Sequence, residues 1–111
     1  MPTMELEFEG RSYETDDCGY LLNFSDWSPK LASHIAKQEG IDNLSEDHFH
    51  VINSLQGYYK QYGIVPLTKV LVKLLAGVFG EKANRGYLFE LYPGGPMKQG
   101  SKIAGLPSPC Y

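Results

Sequence analysis

Residues 45–63, SEDHFHVINSLQGYYKQYG, carry the clearest structural signal in the chain. Ser45 is a favoured N-cap residue, and Glu46 and Asp47 place negative charge in the first turn, where the helix dipole favours it. Gly63 is typical of the residue that ends a helix. Between these ends, apolar side chains recur every three or four residues, namely Phe49, Ile52, Leu55, Tyr59 and Tyr62. This spacing predicts a helix with one buried face.

The segment before this helix predicts a hairpin and a shorter helix. Acidic and apolar residues alternate over residues 5–9, and residues 12–15 follow the pair Gly10-Arg11, which is typical of a β-hairpin. Residues 16–19 predict a turn, and residues 20–22 a brief extended piece. Ser28 as the cap, with Pro29 at the first helical position, predicts a helix that ends at Gly40.

The sequence after residue 63 predicts two more helices and an irregular end. Residues 67–79 are largely apolar, so we expect a mostly buried helix with Lys69 and Lys73 on one exposed strip. Asn84 can cap a helix that runs through Tyr92 and ends at the Pro-Gly-Gly-Pro run of residues 93–96. A short helical turn is expected over residues 97–103. Residues 105–111 contain too many helix and strand breakers for regular structure.

Length and composition bound the fold class and the class of protein. The chain has 111 residues, of which 42% are hydrophobic and 21% charged, so we expect one domain over residues 1–111. The net charge of −3 argues against non-specific nucleic-acid binding. Because the sequence has neither a long apolar run nor a signal-peptide pattern, we expect a cytoplasmic protein without a membrane partner. The predicted fold is mainly α (α+β): a small helical bundle with an N-terminal β-hairpin and a C-terminal arm over residues 104–111.

The cysteines and histidines form no recognisable metal or disulfide pattern. Cys18 and Cys110 are too few for a disulfide scaffold, and no Cys-x-x-Cys pair suits a structural zinc ion. His48 and His50 are two positions apart, which places them on different faces of a helix. These two and His34 are expected to be surface or partly packed residues. We therefore expect no metal and no cofactor, and an incidental role for Cys18.

Chemistry is expected at the C-terminal end of the chain. Cys110 is penultimate and follows Pro107 and Pro109, which bias this segment to an extended form. A cysteine on such a tail should be exposed, and its thiol is intrinsically nucleophilic. From the residues alone, Cys110 is either an incidental surface thiol or a thiol that an arm presents to the active site of another protein.

Residues 98–111, KQGSKIAGLPSPCY, resemble the C-terminal arm of the DsrC/TusE family of sulfur-carrier proteins. In that family, Lys-Ile-Ala-Gly-Leu-Pro-x-Pro leads to a penultimate cysteine. Further similarity occurs at residues 8–10, 17–21, 27–28, 39–41, 71–73 and 87–93, so the resemblance extends over essentially the whole chain. It implies a small helical bundle with an N-terminal hairpin, which agrees with the fold predicted from the residues.

Two departures from the family pattern bear on function. Ser101 stands where DsrC proteins of dissimilatory sulfur metabolism carry a second arm cysteine, so this arm cannot close an internal disulfide. The chain therefore resembles the single-cysteine TusE branch. The family usually has two residues between the last proline and the cysteine, whereas Pro109 directly precedes Cys110 here. The shorter arm loses about 7 Å of reach at full extension.

The resemblance implies a sulfur-relay carrier, a protein of sulfurtransferase type and not a small-molecule enzyme. Cys110 would accept a persulfide sulfur and deliver it toward 2-thiouridine formation in tRNA. The implied partners are a sulfur-donor protein of the TusBCD/DsrEFH type and an acceptor of the tRNA thiouridylase type, together with tRNA. Dissimilatory sulfite reductase is the alternative partner.

The other residues of the arm and its base have expected roles of their own. Lys98 and Lys102 flank the base and are expected to favour the thiolate or persulfide anion. Gly105 is expected to be the hinge that frees the arm, and Pro107 and Pro109 are expected to stiffen its tip.

Three alternative functions remain open. Residues 45–79 could resemble a helix-turn-helix, with Thr68, Lys69 and Lys73 as polar contacts, which would make the chain a DNA-binding or regulatory member of the same family. The chain could be a DsrC-like protein of dissimilatory sulfur metabolism, or the tail could dock on a larger complex without transferring sulfur.

Overall fold

The computed structural model describes residues 4–109, which form a β-hairpin and five α-helices. Two short 3-10 helices, Phe24–Asp26 and Gly80–Lys82, connect them. The predicted mainly α fold with an N-terminal hairpin is confirmed. Within residues 4–109, no helix has the length and hydropathy to cross a bilayer. The elements in chain order are β1 (Met4–Phe8), β2 (Arg11–Thr15), α1 (Pro29–Gln38), α2 (Glu46–Tyr62), α3 (Thr68–Phe79), α4 (Arg85–Leu91) and α5 (Lys98–Ile103).

The hairpin has the shortest turn that joins two antiparallel strands. Phe8 of β1 lies opposite Arg11 of β2, which leaves Glu9 and Gly10 as the turn. Both turn residues have positive φ, 52° and 75°, as a type I′ turn requires. The turn thus lies one residue earlier than the predicted pair Gly10-Arg11.

Three helices begin at the caps that the sequence predicts. The Ser28 hydroxyl accepts the N–H of Leu31 at 3.1 Å at the start of α1. The Asn84 side chain accepts the N–H of Tyr87 at 2.9 Å at the start of α4. Ser45 caps α2 in a capping box, in which N-cap and N3 residues bind each other's backbone N–H.

His48 is the N3 residue of that capping box. Its Nδ1 accepts the N–H of Ser45 at 3.0 Å, and its Nε2 lies 2.8 Å from the carbonyl oxygen of Leu91. One ring nitrogen accepts and the other donates, so the imidazole in this arrangement is neutral with its proton on Nε2. Desolvation by burial lowers the pKa of His48, against the opposing effects of the Leu91 hydrogen bond and the Asp47 charge.

The hydrophobic core lies between the helices and includes the residues that follow α5. Ala104 and Leu106 pack in the same cluster as the helix faces. The largest completely buried apolar or aromatic side chains of the helices and their ends are Leu31, Ile35, Ile52, Leu55, Leu71, Leu75, Leu88, Tyr92 and Ile103.

Helix α3 is more exposed than its composition predicts. Leu71 and Leu75 are its buried residues, whereas Leu74 and Val78 are 44% and 54% exposed. The helix packs against α2 and α4 with one face. The prediction of a mostly buried helix is wrong, because an apolar sequence indicates what a helix can bury and not whether a partner is present to cover it. Lys69 and Lys73 are exposed, as predicted.

Candidate functional site

Cys110, the predicted sulfur carrier, lies outside the described residues, which end at Pro109. The segment that leads to Cys110 is described up to Pro109. Residues 104–109 follow α5 without helix or strand, as the breakers predict. We call residues 103–106, from the last residue of α5 to Leu106, the arm root.

The arm root is packed on the helical body. The Gln56 side-chain amide donates to the carbonyl oxygen of Ala104 at 2.8 Å, and the Trp27 indole donates to the carbonyl oxygen of Ile103 at 2.8 Å. Leu106 is 2% exposed. The first residues of the predicted arm are therefore part of the hydrophobic core. Prolines and glycines prevent regular hydrogen bonding, but they do not prevent apolar side chains between them from being buried.

Gly105 meets two separate structural requirements. Its φ is +76°, a left-handed conformation that disfavours any residue with a β-carbon. A β-carbon at this position would also lie 2.6 Å from Cδ1 of Trp27. In this arrangement Gly105 forms a tightly packed turn, and its action as a hinge stays a prediction.

Lys98 and Lys102 lie at the base of the arm, but in different electrostatic surroundings. Lys102 Nζ is 3.0 Å from a carboxylate oxygen of Glu39, and the two side chains are 22% and 26% exposed. The carbonyl oxygen of Lys98 accepts a hydrogen bond from the hydroxyl of Tyr20 at 3.0 Å. Lys98 itself is an exposed residue. Among residues 4–109, Lys98 forms no ion pair. The Lys102 charge is thus balanced by Glu39, and that of Lys98 is not.

Ser101, at the position where the resemblance implies a second arm cysteine in DsrC proteins, is completely buried. Its hydroxyl has no hydrogen-bond partner within the described part of the chain, and its carbonyl oxygen accepts the N–H of Leu106 at 3.0 Å. This position therefore lies in the core beside the arm root. Pro107 is exposed and Pro109 is buried.

Cys18 lies in the turn that follows the hairpin. Its N–H and that of Tyr20 both donate to the Asp16 carboxylate at 2.9 Å, which forms the predicted turn. Ligand atoms of Asp16, Asp17 and Cys18 lie within 4.8 Å of one another and could hold a cation. The carboxylate of Asp16 is already used by the turn, and the other two residues are exposed. The absence of a metal stays a prediction.

Gln56 and Trp27 are residues of the site that sequence reasoning missed. Their contacts with Ala104 and Ile103 join residues 48 and 76 positions apart, so no local pattern indicates either contact. The position of Gln56 next to Leu55, at the border of the apolar face of α2, was the available signal.

Comparison with known proteins identifies the family. Residues 7–111 match the family described as DsrC like protein. The chain belongs to this family. It is 50% identical to Sulfurtransferase TusE of Sodalis glossinidius over 105 residues, 94% of this chain and 96% of the relative. Sulfurtransferase TusE of Escherichia coli (strain K12) is 48% identical over 105 residues, 94% of this chain and 95% of the relative.

Solved structures of the family share this fold. The NMR structure of Allochromatium vinosum DsrC has a TM-score of 0.86 and 40% identity, covering 99% of this chain and 98% of its own. The oxidized gamma-subunit of the dissimilatory sulfite reductase (DsrC) from Archaeoglobus fulgidus has a TM-score of 0.87 and 32% identity, covering 97% and 98%. The recognised family and the predicted fold are confirmed, and the sulfurtransferase-type carrier function is confirmed at the level of the family.

Proposed function

We propose that Cys110 of this DsrC-like protein is a sulfur carrier. Its thiolate attacks the outer sulfur of a persulfide on a donor protein. One S–S bond forms at Cys110 while the S–S bond of the donor breaks, and the donor cysteine leaves as a thiolate, so no external oxidant is needed. The cysteine of an acceptor then attacks the outer sulfur of the Cys110 persulfide in the same way.

The fixed arm root is the observation that supports this assignment. The Trp27 and Gln56 hydrogen bonds and the burial of Leu106 hold the chain up to residue 106. Pro109, next to Cys110, is buried as well, so the four residue steps from Leu106 to Cys110, about 14 Å when fully extended, are the upper limit of the reach once residues 107–109 leave the body. The body therefore positions the thiol within a limited radius, and a partner must bring its reacting sulfur into that radius.

Lys98 is the stronger of the two lysine candidates for stabilising the Cys110 anion. Lys102 must leave Glu39 before its charge is available, whereas Lys98 has no such partner among residues 4–109. We propose that Lys98 favours the thiolate or persulfide anion of Cys110 by charge attraction.

The rate of iodoacetamide alkylation against pH tests this role in a Cys18→Ser background. Lys98→Met should shift the alkylation midpoint to higher pH more than Lys102→Met does. Lys30→Met, at an exposed position of α1, is the control and should leave the midpoint in place. Equal midpoints for all three variants would remove both lysines from the site.

The single arm cysteine favours a TusE-type pathway. We propose that the carrier works in the cytoplasm as one domain of residues 1–111 with an arm over residues 104–111. Its proposed donor is a protein of the TusBCD/DsrEFH type, and its proposed acceptor is of the tRNA thiouridylase type, which makes 2-thiouridine in tRNA. Dissimilatory sulfite reductase is the less favoured partner, because Ser101 replaces the second arm cysteine.

Mass spectrometry of peptides from the loaded protein tests the carrier. The wild type, Cys110→Ser and Cys18→Ser are incubated with a small-molecule persulfide and then digested. The wild type and Cys18→Ser should gain one sulfur atom on the C-terminal peptide, and Cys110→Ser should gain none. Loading that survives in Cys110→Ser and disappears in Cys18→Ser would contradict the assignment.

A further inference from the structure

Charge is divided unevenly along the chain. Residues 1–47 contain 11 Asp and Glu but 3 Lys and Arg, and residues 48–111 contain 7 Lys and Arg but 2 Asp and Glu. The two parts carry net charges of −8 and +5. The overall charge of −3 therefore conceals a positive part, and it is not by itself an argument against a polyanionic partner.

The positive part includes a depression between α3 and α4, which we call the basic cleft. It has a volume of about 360 Å³, and its charged lining residues are Lys69, Lys73 and Arg85. Within residues 4–109, none of the three forms an ion pair. The Arg85 guanidinium lies 4.8 Å from the ring centroid of Phe89, a contact that leaves its charge uncompensated. The cleft thus holds three positive charges available to a ligand.

The start of α3 adds to this positive potential. Its N-cap residue, Leu67, provides no side-chain acceptor for the first-turn N–H groups, and Thr68 lines the cleft. Unsatisfied N–H groups and the dipole at a helix start both attract anions. Lys69 and Lys73 are one turn apart, about 6 Å along the helix axis. Charges arranged in a row suit a chain of phosphates better than a single small anion.

We propose that the basic cleft binds the phosphodiester backbone of an RNA chain. The lining residues include no aromatic side chain for stacking on bases, so the contacts are with phosphates and do not depend on sequence. The choice of RNA rests on the proposed function, in which the sulfur is destined for tRNA. Trp27 and Gln56, which hold the arm root, are not cleft residues, so substitutions in the cleft leave the hydrogen bonds of the arm root in place.

Fluorescence anisotropy with an unmodified tRNA transcript tests the cleft. Wild-type affinity should fall as salt rises from about 50 to about 200 mM. Lys69→Ala/Lys73→Ala should weaken binding about tenfold and reduce the salt slope by about 1–2, because each lost phosphate contact removes about 0.7–0.9. Lys30→Ala/Lys37→Ala is the matched control: it removes two exposed lysines of α1 and should change the affinity less than about twofold at the same salt. Circular dichroism should show the same helix content in both variants.

Four results would overturn the proposal. In the first, the wild type does not bind tRNA at about 50 mM salt. In the second, Lys30→Ala/Lys37→Ala loses as much affinity for tRNA as Lys69→Ala/Lys73→Ala does. In the third and fourth, the wild type binds duplex DNA or poly-glutamate more tightly than it binds tRNA. Persulfide loading of Cys110 is measured on the same preparations and should be unchanged in Lys69→Ala/Lys73→Ala. If the wild type does not load sulfur, the proposed carrier function is contradicted. The RNA-binding result tests only the proposed role of the basic cleft.

Discussion

The indole of Trp27 fills the space that a side chain on Gly105 would need. A β-carbon on Gly105 would lie 2.6 Å from Cδ1 of Trp27, and the same indole donates to the carbonyl oxygen of Ile103 at 2.8 Å. One side chain thus fixes both the last residue of α5 and the turn that follows it. The direction in which the arm leaves the body depends on this contact.

Replacing Gly105 by alanine should destabilise the protein more than the same change at Gly40. Both glycines have positive φ, 76° and 89°, but a β-carbon at Gly40 meets nothing within 4 Å. Gly40→Ala should cost about 1 kcal/mol for the left-handed conformation. Gly105→Ala should cost about 1–3 kcal/mol more, because Trp27 must move. Urea unfolding measures both, and equal losses would show that the Trp27 contact is not restrictive.

Leu106→Ala should destabilise the fold although the residue belongs to the arm. Its side chain is 2% exposed and packs in the core, so truncation should cost about 2–4 kcal/mol. Pro107→Ala, at the exposed neighbouring position, should cost less than about 1 kcal/mol. Urea denaturation midpoints distinguish the two. A loss at Leu106 as small as that at Pro107 would mean that the arm root contributes nothing to the core.

Local signals predicted the parts of this fold that depend on neighbouring residues. The caps Ser28, Ser45 and Asn84 bind N–H groups three residues away, and all three helix starts were predicted. The bonds that fix the arm root join residues 48 and 76 positions apart, and no periodicity indicates such pairs. For the same reason, the apolar sequence of α3 did not reveal which of its faces has a partner.

The sequence predicted the chemistry of the candidate site but not the contacts of its residues. A penultimate cysteine after two prolines indicates a presented thiol, and family resemblance indicates sulfur transfer. The structure was needed to show that Lys102 pairs with Glu39, which lies 63 residues away in the sequence. It was also needed to show that Lys98 has no such partner within residues 4–109.

His48 should make stability depend on pH below neutrality. Its pKa is lowered in the folded state, so the unfolded chain binds a proton first as pH falls below about 6.5. Folding stability should therefore be complete above this value and decrease as pH falls toward the pKa of the folded protein. Protonation places a hydrogen on Nδ1, which then no longer accepts the N–H of Ser45.

The variant His48→Gln separates this titration from the cap. Glutamine at N3 can still accept the N-cap N–H, but it does not titrate. Its unfolding free energy should vary less between pH 7 and pH 5 than that of the wild type, by urea denaturation at each pH. A wild-type pH dependence in His48→Gln would assign the effect to another group.

The short arm should limit sulfur transfer from Cys110 to partner proteins whose active sites fit the longer arms of the family. With the chain held up to Leu106, Cys110 reaches at most about 14 Å, and two residues inserted between Pro109 and Cys110 add about 7 Å. We expect the insertion to preserve or increase single-turnover sulfur transfer to an acceptor of the tRNA thiouridylase type. The rate of Cys110 alkylation by iodoacetamide serves as the control. This rate should stay the same, because a small reagent diffuses to the thiol whatever the length of the arm. If the insertion abolishes transfer while alkylation is unchanged, the partners of this protein are built for the shorter arm, and the family's donor and acceptor types no longer apply to it.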